Sequence, residues 1–206
     1  MPSPFLAGKN TTFGYNYARG RSDMPLEVET KFKIGQVEQA RISLARIGAK
    51  LLSKELEKDV YYAGPKQANV TAVRLRTAGG NTLFTIKSFP EAGTSASPGM
   101  KVLEETEVVV GDAPAFERQL TLLGYVPQFR KEKIRETYLW QGVPIFLDEL
   151  PHMGFFLEIE APEDKIKAAA EALGLDIMMA VGETYMQLFS RHKEVRRESD
   201  LELVFG

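Results

Sequence analysis

Glu27, Glu29 and Lys31 stand two residues apart in the stretch LEVETKFKI, residues 26–34, and the same spacing of charges recurs along the chain. Arg74 and Arg76 repeat it in AVRLRTA, Glu105 and Glu107 in KVLEETEVVV, Lys131, Lys133 and Arg135 in RKEKIRETYLW, and Glu158 and Glu160 in GFFLEIEAP. Lys87 in LFTIKSF and Asp148 in VPIFLDEL add single charges in the same kind of context. Carboxylate pairs offer oxygen ligands to Mg2+ or Mn2+, whereas clusters of Arg and Lys suit phosphate oxygens. A divalent cation bound to a polyphosphate would satisfy both sets at once.

The spacing also says which elements must carry these groups. In an extended strand successive side chains point to opposite faces, so residues two apart share a face. Opposite Glu27, Glu29 and Lys31 lie Val28, Thr30 and Phe32; opposite Arg74 and Arg76 lie Val73 and Leu75; opposite Glu158 and Glu160 lie Leu157 and Ile159. Each strand therefore has a charged face and a largely apolar one. A flat sheet with its charged face in water would account for this. The signs, however, change from strand to strand, and the residues are tight Arg and Glu pairs rather than a Thr, Ser and Gln mixture. If helices cover the apolar face, the sheet can close with its charges inside, since about eight strands enclose room for one small ligand. Burying so many charges costs several kcal/mol per ion, so each must find a partner or a ligand.

Three segments have helical period: residues 36–56, with Val37, Ala40, Leu44, Ile47 and Leu51 on one stripe, residues 113–125, and residues 162–175. In the last, Pro162 leads into an acidic first turn and Gly174 follows as a stop. The coarse order is strand, helix, a run of strands, helix, strands, helix. Residues 1–24, rich in Gly, Asn, Pro and Tyr, are expected to be a flexible extension, 25–190 the folded domain and 191–206 a charged tail that either frays or folds back. Residues 89–101, FPEAGTSASPGMK, read as a mobile loop.

The chain has 206 residues, with 26 basic and 28 acidic side chains and a net charge of -2, so it carries no global attraction to nucleic acid or acidic lipid. No helix-turn-helix or aromatic RNA platform is visible. There is no cysteine, which excludes thiolate metal sites. No run approaches the roughly 20 apolar residues of a membrane span, and the expectation is a cytoplasmic protein with no membrane or nucleic-acid partner. His152 and His192 lack ligand-spaced partners and are expected to be solvated.

The ordered set ExExK at Glu27, Glu29 and Lys31, then RLR, TIK, EETE, KIR, FLDEL and GFFLEIE, resembles the CYTH superfamily of triphosphate tunnel metalloenzymes. That superfamily includes class IV adenylate cyclases and thiamine triphosphatases. The stretches EKDVYY, LGYVPQFRKEKIRETYLW and MGFFLEIEAPED are most similar to the cyclase branch. The resemblance implies an α+β fold, a closed eight-stranded antiparallel barrel with helices outside. It implies Mg2+ or Mn2+ as cofactor, with Glu27, Glu29, Glu158 and Glu160 as metal ligands and Asp148 near them. It makes Lys31, Arg74, Arg76, Lys87, Lys133 and Arg135 the phosphate binders, and Lys31 and Glu29 the catalytic pair. Many members have an Arg ahead of the acidic pair of the EETE strand, where this chain has Leu103 or Glu104, so Glu105 and Glu107 join the substrate-binding set with open roles. Asp59 could face either way, and Phe146 could fill the wall or stack a base.

Two reactions share such a site. Either the ribose 3′-hydroxyl of ATP attacks the α-phosphorus and pyrophosphate leaves, giving cyclic AMP, or water attacks the terminal phosphorus of thiamine triphosphate, ATP or tripolyphosphate, with Lys31 or the metal assisting deprotonation. A non-catalytic triphosphate- or polyphosphate-binding protein is the third reading. The oligomeric state is open, a homodimer included.

Overall fold

Alternation decides the first element: Leu26–Ile34 is strand β1, with Thr30 and Phe32 buried on its outer face and Glu27, Glu29 and Lys31 pointing the other way. The computed structural model describes residues 26–65, 69–90, 97–196 and 202–205. After β1 come α1 (Val37–Arg46), β2 (Lys50–Ala63), β3 (Val70–Ala78), β4 (Asn81–Ser88), β5 (Met100–Val109), α2 (Ala113–Leu122), β6 (Val126–Trp140), β7 (Val143–Leu150) and β8 (Gly154–Glu160). Then follow α3 (Glu163–Leu173), a 3-10 turn at Ile177–Met179, α4 (Tyr185–Arg196) and a two-residue strand, β9 (Glu202–Leu203).

The strands are ordered β2-β3-β4-β5-β1-β8-β7-β6, and β6 pairs back onto β2, which closes an eight-stranded antiparallel barrel. The closing seam is long, running from Lys50 opposite Leu139 to Ala63 opposite Val126, with irregularities at Leu51/Ser53 and Tyr61/Tyr62. Such bulges raise the local twist and help a sheet to curl. The ninth strand lies parallel to β6 at Arg130 and Lys131. The fold class expected from the charge alternation and the family resemblance is the one found.

Helices cover the outer face. Leu44 of α1 and Ile166, Ala169 and Ala170 of α3 pack on Phe32, Ile145, Leu147, Leu157 and Ile159, and α2 covers Val73 and Leu75 through Leu120 and Phe116. One end of the barrel is filled by a separate apolar cluster in which Tyr185, Leu188 and Phe189 of α4 and Leu203 of β9 meet Phe129, Leu150, Met153 and Phe156. The backbone before α4 is tied to the barrel by Val181, whose N–H donates to the Lys31 carbonyl at 2.7 Å.

Three expectations need correction. The helix expected over 36–56 ends at Arg46: Gly48 takes a left-handed conformation (φ 79°) and residues from Lys50 onward enter β2, leaving Leu51 56% exposed instead of on the buried stripe. A strand partner, β6, outcompetes the helical period of Leu51 and Leu52. Met100 and Lys101, read as loop, open β5 and pair with Thr30 and Glu29; residues 91–96 of that loop and 1–25 at the N-terminus lie outside the described residues. His192 is half-buried on α4, its Nε2 buried with no hydrogen-bond partner among the described residues, so it is not a solvated side chain, whereas His152 is exposed in a turn (φ 59°). No helix among the described residues is long and apolar enough to cross a membrane.

Candidate active site

The inward faces of the eight strands converge on a charged lumen. Glu27, Glu29 and Lys31 come from β1, Glu57 and Asp59 from β2, Arg74 and Arg76 from β3, and Lys87 from β4. Lys101, Glu105 and Glu107 come from β5, Lys131, Lys133 and Arg135 from β6, Asp148 from β7, and Glu158 and Glu160 from β8. Their partners are each other. Lys31 Nζ lies 2.8 Å from Glu158 and 3.9 Å from Glu29. Lys87 bridges Glu27 at 2.6 Å and Glu105 at 2.8 Å. Arg74 lies 3.5 Å from Glu105 and 3.4 Å from Glu107, and donates to Thr85 Oγ1. Arg76 clamps Asp59 with bonds of 2.7 and 3.0 Å and reaches Glu57 at 2.9 Å. Lys131 also pairs with Asp59, at 3.0 Å.

Glu158, expected as a metal ligand, and Asp148, expected near the metal, are engaged by cations. Asp148 accepts two bonds of 2.7 Å from Arg135, one of 2.9 Å from Lys133 and one of 3.0 Å from the Tyr185 hydroxyl. Glu158 is bound by Lys31 and Arg135. Both are buried, and the neighbouring Lys31, Arg135 and Lys133 hold the Glu158 carboxyl well below its ordinary range against the opposing effect of burial.

The three remaining acids of the β1 and β8 faces form the cluster suited to a metal. One carboxylate oxygen from each of Glu27, Glu29 and Glu160 lies within 4.8 Å of the others. Octahedral Mg2+ places its oxygen ligands about 3 to 4.2 Å apart, given metal–oxygen distances of about 2.1 Å, so a small contraction would complete the set. Electrostatics also fit a cation. Burial pushes the Glu160 carboxyl up to about 7, opposed by Arg135 and Lys87 and reinforced by Glu158 and Glu29. Burial likewise raises Glu27, with Lys87 opposing and Glu160 and Glu105 adding repulsion. By surface area both are only half-buried, yet the lumen wall surrounds them, and poor solvation of the carboxylate follows from that enclosure. A divalent ion would offset the repulsion that Glu160 exerts on Glu27 and that Glu29 exerts on Glu160.

Two of the lysines are shifted in opposite directions. Glu158 and Glu29 raise Lys31 above its ordinary value despite burial, so it stays protonated. Lys133, fully enclosed beside Arg135, is pushed down by burial and by that guanidinium, with Asp148 and Glu57 opposing.

Four lumen residues escaped the candidate set. Lys101 shares the face of Leu103, Glu105 and Glu107, and its Nζ lies 3.9 Å from Glu29, so the cation missing at Leu103 or Glu104 is supplied one pleat earlier. Assigning Met100 and Lys101 to a loop hid it. Glu57, which lies 3.3 Å from Lys133, was hidden by the helical reading of the residues before it, and its carboxyl is held at about 2 by Arg76, Lys133 and Arg135 against burial. Lys131 already stood in register with Lys133, and that alternation could have found it. Tyr185 carried no sequence signal. Asp59, of open orientation, faces inward and is 1% exposed, and Phe146 turns its ring to Arg135, whose guanidinium carbon lies 4.0 Å from the ring centroid.

The sequence matches the CYTH domain over residues 25–179, three quarters of the chain. The chain belongs to the CYTH family. A Methanocaldococcus jannaschii protein named "Putative adenylate cyclase MJ0240" is 31% identical to this CYTH protein over 140 residues, 66% of this chain and 76% of its own length. Among solved structures, the Pyrococcus horikoshii protein PH1012 superposes on this CYTH fold with a TM-score of 0.67 at 26% identity, covering 79% of this chain and 98% of that one. The Hippeastrum protein HpAC1, described as having a dominant triphosphatase activity, superposes with a TM-score of 0.57 at 14% identity, covering 81% of this chain and 96% of its own; that likeness carries the fold alone.

Proposed function

We propose that this CYTH protein is a metal-dependent enzyme acting on a small-molecule triphosphate, and that its reaction is the conversion of ATP to cyclic AMP and pyrophosphate. The single observation that supports it best is the junction in one lumen of the Glu27, Glu29 and Glu160 cluster with the cations Lys31, Lys87 and Lys101. Glu27, Glu29 and Glu160 would hold Mg2+ or Mn2+. When bound, that ion supplies Lewis-acid neutralisation of the phosphate oxygens. The chain's own residues do the rest. Lys31, Arg74, Arg76, Lys87, Lys101, Lys133 and Arg135 bind phosphate oxygens, with their carboxylate partners setting their directions before substrate arrives. Lys31, kept protonated by Glu158 and Glu29, enters as a cation that neutralises charge on the departing pyrophosphate rather than as a base. Glu29 stands between the metal cluster and Lys31 and belongs to both.

The name of the Methanocaldococcus relative supports the cyclase reading. A second reading, hydrolysis of a triphosphate to orthophosphate, is favoured by one observation: the Phe146 ring is already covered by Arg135, so the lumen grips phosphate more evidently than it offers a face to a base. Incubation with ATP, thiamine triphosphate and tripolyphosphate, each with Mg2+ and Mn2+, followed by chromatography, separates the two. Cyclic AMP and pyrophosphate from ATP is the expected result. Orthophosphate without cyclic AMP would overturn the cyclase reading in favour of hydrolysis, and no product from any substrate would leave a binding protein. Phe146→Ala should harm the ATP reaction and spare tripolyphosphate if the ring serves adenine.

A further inference from the structure

Tyr185, the first residue of α4, lies beyond residue 179, where the family match ends, yet its side chain is 7% exposed and enters the lumen at the end filled by the apolar cluster. Three ammonium groups surround its ring: Lys31 Nζ at 4.6 Å from the centroid, Lys131 at 5.1 Å and Lys133 at 5.8 Å. The ring meets Phe156 edge-on, with centroids 5.2 Å apart, which fixes its plane. Its hydroxyl donates to Asp148 Oδ2 at 3.0 Å, the same oxygen that accepts from Lys133 and Arg135.

We propose that Tyr185 is a positioning residue for the phosphate-binding cations, acting through its ring on Lys31, Lys131 and Lys133 and through its hydroxyl on Asp148. The inference rests on the reading of the lumen as a polyphosphate site. The physical case has two parts. The negative face of an aromatic ring attracts ammonium groups, more strongly where water is excluded, and so holds together three lysines that repel one another. The phenol takes up part of the hydrogen-bonding demand of Asp148. Without it that carboxylate would draw Lys133 and Arg135 more tightly and would compete with phosphate for them. Burial, together with Asp148 and Glu158, holds the phenol pKa above its ordinary value, so the group remains a donor at neutral pH.

The test uses the full chain, with tripolyphosphate and Mg2+ as the probe in titration calorimetry and steady-state turnover of ATP as the second readout. Tyr185→Phe keeps the ring and removes the hydroxyl. Loss of one hydrogen bond to a charged group corresponds to about ten- to a hundredfold, so tripolyphosphate should bind at least about tenfold more weakly and KM should rise by a similar factor, with kcat little changed. Tyr185→Leu removes both contributions and should weaken binding further; thermal unfolding of both variants reports whether the fold survives. In an Asp148→Asn background the Phe substitution should lose most of its effect, because the hydroxyl acts through that carboxylate. A purely structural plug would instead lower the unfolding temperature equally in both backgrounds and leave the KM and kcat split unmoved, which would overturn the proposal. Unaltered affinity in folded Tyr185→Phe and Tyr185→Leu would overturn it too. If the unsubstituted protein itself fails to bind tripolyphosphate, the polyphosphate reading falls and takes the positioning role with it.

Discussion

At the scale of single residues the lumen carboxylates divide by what they touch. Glu29 and Glu160 face another carboxylate, Glu29 meeting Lys31 and Lys101 only at 3.9 Å, whereas Glu158 is held by Lys31 at 2.8 Å and by Arg135. Neutralising one of the first kind relieves repulsion, and neutralising the second leaves buried cations short of a partner. Glu29→Gln and Glu160→Gln should therefore fold with an equal or higher unfolding temperature while losing metal affinity by at least about 10- to 100-fold, the range that even outer-shell changes reach. Glu158→Gln should lower stability by about 1.5 to 3 kcal/mol, the usual worth of a hydrogen bond to a charged group. Thermal melts of the three variants, with Mn2+ titrations of the first two, check this. Destabilisation by Glu29→Gln as large as that by Glu158→Gln would make the cluster a structural feature instead of a metal site.

At the scale of elements, the junction of α1 with the barrel is held by Glu136 of β6, which accepts from Arg41 of α1, Lys54 of β2 and Tyr138. Burial opposes its ionisation, but these bonds bring its pKa down from an ordinary 4.5 to about 2. A group depressed in the folded state contributes stability that is full above its unfolded value and fades as pH falls through its folded value. The contribution of Glu136 is thus complete above about pH 5 and disappears between there and about pH 2. Glu136→Gln should flatten that part of the stability profile measured by urea unfolding, and an unchanged acid limb would remove Glu136 from the account. The position of β2 makes a second expectation. Leu51→Ser, at an exposed strand position, should change stability by less than about 0.5 kcal/mol, whereas Leu203→Ala in β9, with Leu203 0% exposed, should cost about 2 to 5 kcal/mol. Comparable losses at both would argue that the strip from Lys50 is buried as a helix would bury it.

At the scale of the whole molecule the lumen is close to neutral. Among the described residues, nine carboxylates (Glu27, Glu29, Glu57, Asp59, Glu105, Glu107, Asp148, Glu158 and Glu160) face eight cations (Lys31, Arg74, Arg76, Lys87, Lys101, Lys131, Lys133 and Arg135). Most of the cations that would bind phosphate are thus held by carboxylates beforehand. A divalent ion at Glu27, Glu29 and Glu160 would release Lys87 from Glu27 and Lys31 and Lys101 from Glu29, so metal and polyphosphate should each strengthen the other. Tripolyphosphate affinity measured in EDTA should be at least about tenfold weaker than in Mg2+, a coupling of about 1.4 kcal/mol, and the ligand should raise the unfolding temperature far more with metal than without. Equal affinity in EDTA and Mg2+ would disconnect the acidic cluster from the phosphate site.

The period-two alternation of charge determined much of this. Because side chains on a strand obey a fixed geometry, the pairs at Glu27 and Glu29, Arg74 and Arg76, and Glu158 and Glu160 could be assigned to one face without knowing where the strands lay, and the sign changes between strands already argued for a closed lumen. The punctuation of α3 by Pro162 and Gly174 was equally local and equally readable. What the sequence could not decide were matters of partner and reach. Residues 50–56 have a helical stripe and become strand only because β6 is there to pair with them, so Glu57 and the inward sense of Asp59 followed from a contact some 75 residues away in the chain. Glu158 and Glu160 are alike in sequence, and one pairs with lysine while the other joins the acidic cluster because the register of β8 on β1 sets Glu158 opposite Lys31 and Glu160 opposite Glu29. Tyr185 has no periodic context at all. It reaches the lumen because α4 folds across the end of the barrel, and only the tertiary structure brings its ring to three lysines that are far from it in sequence.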